Sequence, residues 1–187
     1  MTTLYYDLAS PYAYLAFMRA ADVLGEAPKL QPVLLGAIFV HRGHGSWSQT
    51  PARAENIAAV EERAKAYHLP PVTWPPGWPP NSLNAMRAVF WARREQGDAA
   101  AEAFSRVAYR LAFAEGQDLG DVAVLERAAA EAGLDAAALR DGVADPAVKA
   151  ALREATDLAI ARGVVGVPTL ETADGRLLFG DDRLAEA

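Results

Sequence analysis

Hydrophobic positions along this chain follow a strand-like rhythm at its two ends and a helical one between them. Leu4-Tyr5-Tyr6-Asp7-Leu8, within Thr3 to Leu8, is short, rich in aromatic residues and ends at a turn former, which predicts a buried strand. Ser10 then reads as a helix N-cap with Pro11 at the first helical position: a serine oxygen can take an orphan amide, and proline has no amide to lose. The predicted helix runs to about Leu24 and stops at Gly25. Leu30 to Leu35 is the second predicted strand, so residues 3 to 35 read as a β-α-β unit.

From Gly36 to Gly163 no strand pattern recurs. The spacing of apolar residues predicts helices over Ala52–Tyr67, Ser82–Gln96, Asp98–Glu115, Asp121–Ala132, Asp135–Asp141 and Pro146–Arg162. In one of them Leu83, Met86, Val89 and Phe90 recur at steps of three and four, which is one apolar stripe. Gly97, Gly116, Gly133 and Gly163 follow these stretches as stops, and Asp145-Pro146 is a cap and first-turn pair. Thr169–Thr172 and Arg176–Phe179 flank Asp174-Gly175, a hairpin turn signal. The order β-α-β, helices, hairpin predicts an α/β chain with a thioredoxin-like fold. Residues 1–36 and 163–187 would make the thioredoxin-like part, and 37–162 an all-helical insertion packed on it.

Composition narrows this picture. A chain of 187 residues, 52% of them hydrophobic, can bury a substantial core as one unit. A net charge of -6 opposes a nucleic-acid partner, which needs clustered Lys and Arg. No apolar run reaches the roughly 18 residues of a membrane span, so no membrane partner is expected. The first apolar run is strand-length with no basic flank, so it does not read as a signal peptide, and the cytoplasm is the default expectation.

The chemistry starts from Ser10-Pro11-Tyr12-Ala13 at the first helix entry and Gly166-Val167-Pro168-Thr169 at the entry of a late strand. Tyr5 to Ala16, Pro32 to Phe39, Asn81-Ser82-Leu83 and Phe179 to Leu184 complete an ordered set. Together these segments resemble the 2-hydroxychromene-2-carboxylate isomerases and kappa-class glutathione transferases. These are DsbA-like proteins in which serine replaces the active-site cysteine. The chain has no cysteine, and disulfide exchange requires a thiolate, so any thiol must arrive with a ligand.

The resemblance implies glutathione, or another low-molecular-weight thiol, as cofactor and Ser10 as the catalytic residue that binds its sulfur. It implies a cis bond at Val167-Pro168, with the Val167 backbone pairing with the cysteinyl unit. Asp182 would meet the γ-glutamyl ammonium and the 181–182 amides its carboxylate. Arg53 would stand where the family carries a lysine for another carboxylate. A small unsaturated aromatic acid is the implied substrate, cis-trans isomerisation the implied reaction, and a homodimer the implied assembly. Tyr12, Phe39, Trp47, Trp78 and Asn81 are substrate-pocket candidates, with Trp74 to Pro80 as a packed lid.

The chain also departs from the family pattern. His41 to Thr50 lacks an asparagine usual there, and Gly180-Asp181-Asp182-Arg183 puts a second carboxylate, Asp181, beside Asp182. That extra charge should weaken γ-glutamyl binding or select another thiol. His41 and His44 lack a third ligand of suitable spacing, so no metal site is expected. Arg93-Arg94-Glu95 reads as a solvated helix face. Two other functions stay open: glutathione conjugation or reduction of the kappa-transferase kind, and a non-catalytic module that binds peptides through the edge at Pro168.

Overall fold

A computed structural model describes residues 1–187. Four strands, β1 (Thr3–Tyr6), β2 (Lys29–Pro32), β3 (Thr169–Glu171) and β4 (Leu177–Phe179), form one sheet in the order β2-β1-β3-β4. β1 pairs parallel with β2 and antiparallel with β3, and β3 pairs antiparallel with β4. The register sets Tyr6 opposite Pro32, Tyr5 opposite Thr169, and Thr169 opposite Phe179. One end of the sheet therefore carries the exits of β1, β2 and β4 and the entry of β3. Everything that follows those exits converges there.

Between β1 and β2 lies α1 (Pro11–Leu24), capped by Ser10 and closed by Gly25 in the left-handed region. The helices that follow are α2 (Leu35–Arg42), α3 (Arg53–Ala66), α4 (Leu83–Gln96), α5 (Asp98–Phe113), α6 (Val122–Glu131), α7 (Leu139–Ala144) and α8 (Pro146–Ala161). None is long and apolar enough to cross a membrane. The thioredoxin-like fold expected from the pattern, of the DsbA type that the resemblance implies, is the fold observed.

An aromatic cluster joins the two layers. Phe17 of α1 packs at 5.1 Å against both Tyr6 of β1 and Tyr109 of α5, and Tyr14 stacks on Phe113 at 5.2 Å. All five rings are buried, each contributing on the order of 2 kcal/mol by area alone. Two of their hydroxyls are bonded in the interior: Tyr6 shares a hydrogen bond with Ser105 Oγ at 2.8 Å, and Tyr109 donates to the Asp7 carbonyl at 3.0 Å. That second bond ties α5 to the residue that leads into the Ser10 turn.

The second strand is shorter than its apolar run predicts. Val33 still donates to the Tyr6 carbonyl, but Leu34 N–H goes to Thr156 Oγ1 and Leu35 N–H to Asp7 Oδ2. Side chains take the amides that a strand would give to its neighbour, so the chain turns into α2 at Leu35. The expected loop 41–50 thus begins as helix, closed at Gly43, and continues as a short 3-10 turn at Trp47–Gln49. The helix predicted over 135–141 splits into a 3-10 turn at Ala136–Ala138 and α7, which runs on beyond Asp141 through Gly142 to Ala144. A side chain at Gly142 would overlap the ring of Trp91 in α4, so this glycine marks a close helix approach and not an end. Arg93 is not on a solvated face: only its neighbours Arg94 and Glu95 are, while Arg93 donates to the Leu30 carbonyl at 2.9 Å.

Candidate active site

Where the strand exits converge there is a cavity of about 910 Å³. Ser10 sits on it, buried at 5% exposure. Its Oγ accepts the Ala13 amide at 3.2 Å, and the only acceptor its own proton finds is the Val167 carbonyl at 3.5 Å, the weak limit of a hydrogen bond. The Ser10 proton is therefore available to a ligand. At the same helix entry Pro11 has no N–H, Ala13 gives its own to Ser10 Oγ, and Tyr14 gives its to Ser10 O, which leaves the Tyr12 amide free. A free amide at the positive end of a 14-residue helix, beside a weakly engaged hydroxyl, favours an anion.

Opposite stands the cis Val167-Pro168 bond. Val167 is 6% exposed and lines the cavity, and neither its N–H nor its carbonyl takes part in the sheet. An extended ligand edge can pair with such a residue. Beyond it, the amides of Asp181 and Asp182 also donate to nothing in the protein. Gly180 has φ of 121°, and a side chain there would strike the Asp182 carboxylate, so glycine is what lets Asp182 fold back over the turn.

The second carboxylate is not a free charge. Asp181 is 1% exposed; Arg63 NH1 meets its Oδ1 at 2.5 Å and Tyr67 donates to Oδ2 at 3.1 Å, while Arg19 donates to its carbonyl at 2.6 Å. Burial pushes the Asp181 carboxyl above its ordinary value, against the pull of Arg63 and Tyr67. The second carboxylate expected to stand beside Asp182 is therefore paired: Arg63 meets Asp181 and also lies 3.8 Å from Asp182 Oδ1, and the Asp182 side chain, 57% exposed, lines the cavity.

The aromatic wall is built from several elements. Trp78 lies between Trp47 at 5.0 Å and Trp74 at 4.9 Å, and Tyr12 meets Trp47 edge-on at 6.1 Å. Tyr12, Phe39, Trp47, Trp78 and Asn81 all line the cavity. Trp78 is anchored by donating to the Ala9 carbonyl at 3.3 Å, and the Trp78-Pro79 bond is also cis. Trp74 stands behind this wall, packed on Phe113 and bonded to Glu61. Arg53 does not reach the cavity: it donates to the Ser48 carbonyl at 3.3 Å and lies over the Trp78 ring at 5.2 Å. There it braces the wall.

Several residues of the site were not read from the sequence. Asp7 is fully buried at the cavity floor and accepts from Ala9 N–H, Leu35 N–H and Ser82 Oγ at 2.8, 2.8 and 3.2 Å. Burial pushes its carboxyl upward, while these three donors pull it down. Asn56 and Arg63 reach the cavity from α3, Asn56 receiving the Tyr12 hydroxyl at 2.8 Å. Asn56, Val60, Arg63 and Tyr67 stand four, three and four residues apart, so the helical period alone places them on one face.

A fold of this kind defines a thioredoxin-like protein, here with Ser10 as the cap of the helix that opens onto the cavity. The model of the DSBA-like thioredoxin domain matches residues 2–187. A 2-hydroxychromene-2-carboxylate isomerase of Sphingobium xenophagum is 31% identical over 186 residues, 96% of this chain and 92% of that protein. Human glutathione S-transferase kappa 1 is 28% identical over 195 residues, 97% and 86% of the two chains. A solved 2-hydroxychromene-2-carboxylate isomerase superposes with a TM-score of 0.86 at 23% identity, covering 98% of this chain and 90% of that one. The chain belongs to the DSBA-like thioredoxin family, in the branch that holds the hydroxychromene-carboxylate isomerases and the kappa-class glutathione transferases.

Proposed function

We propose that this protein is a glutathione-dependent isomerase acting on a small unsaturated aromatic acid of the 2-hydroxychromene-2-carboxylate type. The observation that carries the reading is the pair of donors at the entry of α1, the Ser10 hydroxyl with only a 3.5 Å contact to the Val167 carbonyl and the Tyr12 amide with no partner, in a chain without cysteine. Two isomerase and transferase relatives support it.

The residues fit the tripeptide. The open edge of Val167 would align its cysteinyl unit, the free 181–182 amides would receive the γ-glutamyl carboxylate, and Asp182 would meet the ammonium. Glutathione, when bound, supplies a thiolate for reversible addition to a conjugated double bond, which lets that bond rotate and re-form. Ser10 and the α1 amide would stabilise negative sulfur, lowering the thiol pKa and holding it in place. Tyr12, Trp47 and Trp78 would exclude water from an aromatic substrate. A homodimer belongs to the same proposal, and light scattering decides it.

The experiment is calorimetric titration with reduced glutathione, wild type against Ser10→Ala, with the ultraviolet thiolate band recorded. Saturable binding with that band lost in the variant supports the reading; no binding at millimolar glutathione sinks it. A second reading, conjugation or reduction as the kappa-class relative's name describes, uses the same site. It differs in the product, which would not be isomeric with the substrate.

A further inference from the structure

The charges around the cavity are not arranged at random. Asp7 is buried under three donors, and Asp181 is matched by Arg63. Arg63 also reaches Asp182 Oδ1 at 3.8 Å, so one guanidinium serves two carboxylates and that side of the cavity keeps a net negative charge, while the guanidinium of Arg42 is left without a carboxylate. Arg42 is the one arginine on the cavity that meets no carboxylate within 4.0 Å.

The sheet order sets these two charges apart. Arg42 ends α2, which follows edge strand β2; Asp182 follows edge strand β4. Ser10, after β1, and Pro168, before β3, lie between them. Strands about 4.8 Å apart put the two edges about 14 Å from one another. The cavity thus has a negative flank and a positive flank, with the sulfur-binding turn between. On the reading above, the thiol's ammonium takes the Asp182 flank, which leaves the Arg42 flank to the other substrate.

Arg42 is exposed, and one long contact bears on its direction. Its Nε faces His44 Nε2 at 3.4 Å, and His44 Nδ1 lies 3.2 Å from the Gly45 carbonyl. These contacts fit the His44 tautomer that carries its proton on Nδ1 and accepts from Arg42 through Nε2. Phe39, three residues back on α2, packs its ring on His44 at 5.2 Å. One guanidinium donor is used to aim the group, and the two terminal amino groups find no acceptor in the protein. A fork of two parallel N–H pairs matches a carboxylate.

We infer that Arg42 is the receptor for the carboxylate of the electrophilic substrate, held in position by His44 and Phe39. It selects planar aromatic monoanions over neutral analogues of the same shape. This inference rests on the proposed function, since it assigns the second substrate of the same site. Asp182 across the cavity and the net charge of -6 disfavour polyanions, and the walls of Phe39, Trp47 and Trp78 favour an aromatic body.

The test is calorimetric titration of cinnamate and cinnamamide, with and without saturating glutathione, into wild type, Arg42→Gln and Arg42→Lys. Wild type should prefer the acid by about tenfold, the scale of a charge-assisted hydrogen bond at a partly solvated site. Arg42→Gln should lose that preference while binding the amide as before, which damage to the fold would not do; Arg42→Lys should keep part of it. Equal binding of acid and amide by wild type overturns the assignment, as does a preference that persists in Arg42→Gln, or no binding of cinnamate. The glutathione titration is separate: its failure removes the thiol reading, while the acid–amide comparison in the free protein still decides Arg42.

Discussion

Ser10 has two tasks that use different parts of one hydroxyl: its oxygen caps α1 and its proton is left for a ligand. Ser10→Ala should therefore cost about 1 kcal/mol of stability through the lost cap. Independently, it should raise the pKa of bound glutathione by about one unit, since one unit is about 1.4 kcal/mol and a hydrogen bond to a charged group is worth at least that. A thiolate titration followed in the ultraviolet separates the two effects; an unmoved pKa removes Ser10 from the chemistry. Asp7 gives a second prediction with a defined sign. Its folded pKa is raised above the ordinary 3.8, so burial favours the protonated form. The stability that wild type owes to this group is fully present below about pH 4 and falls as pH rises through the raised value. The melting difference between wild type and Asp7→Asn should therefore shrink from pH 4 upward, and a difference that grows with pH would show the three donors outweighing burial.

At the scale of elements, α7 shows how packing reverses a propensity. Gly142 lies inside a helix, where replacement by alanine ordinarily stabilises by about 1 kcal/mol. Here the new methyl would enter the ring of buried Trp91, and overpacking costs about 1–3 kcal/mol or more. Gly142→Ala should lower the denaturation midpoint in urea, and a raised midpoint would mean that α4 and α7 separate freely. The same tension explains α2. The run from Leu30 to Leu35 has a strand's composition, yet Thr156 and Asp7, distant in sequence, capture the amides that a strand would use. No local pattern announces that. In α3, by contrast, the polar face of Asn56, Arg63 and Tyr67 was available from its period, and only its target was not.

Across the whole molecule, the proposed ligand would bridge the two ends of the chain, from the turn after β1 to the segment after β4. Reduced glutathione at about a hundred times its dissociation constant should then stabilise the fold by about 2.7 kcal/mol, a melting shift of roughly 5–10 °C for a chain of this size. Differential scanning calorimetry reads it directly, and an unchanged melting temperature at millimolar glutathione counts against the bridge. The sequence by itself determined the α/β order, the serine cap, the hairpin, the absence of a protein thiol, and the motifs at Ser10 and Val167-Pro168, because each is written in neighbouring residues. Only the tertiary structure decided that Arg63 pairs with Asp181, that Arg53 braces Trp78 instead of lining the cavity, and that Arg42 and Asp182 face it from opposite flanks. Those facts depend on which distant side chains become neighbours, and a charge's role is set by the partner it finds, which spacing along the chain does not encode.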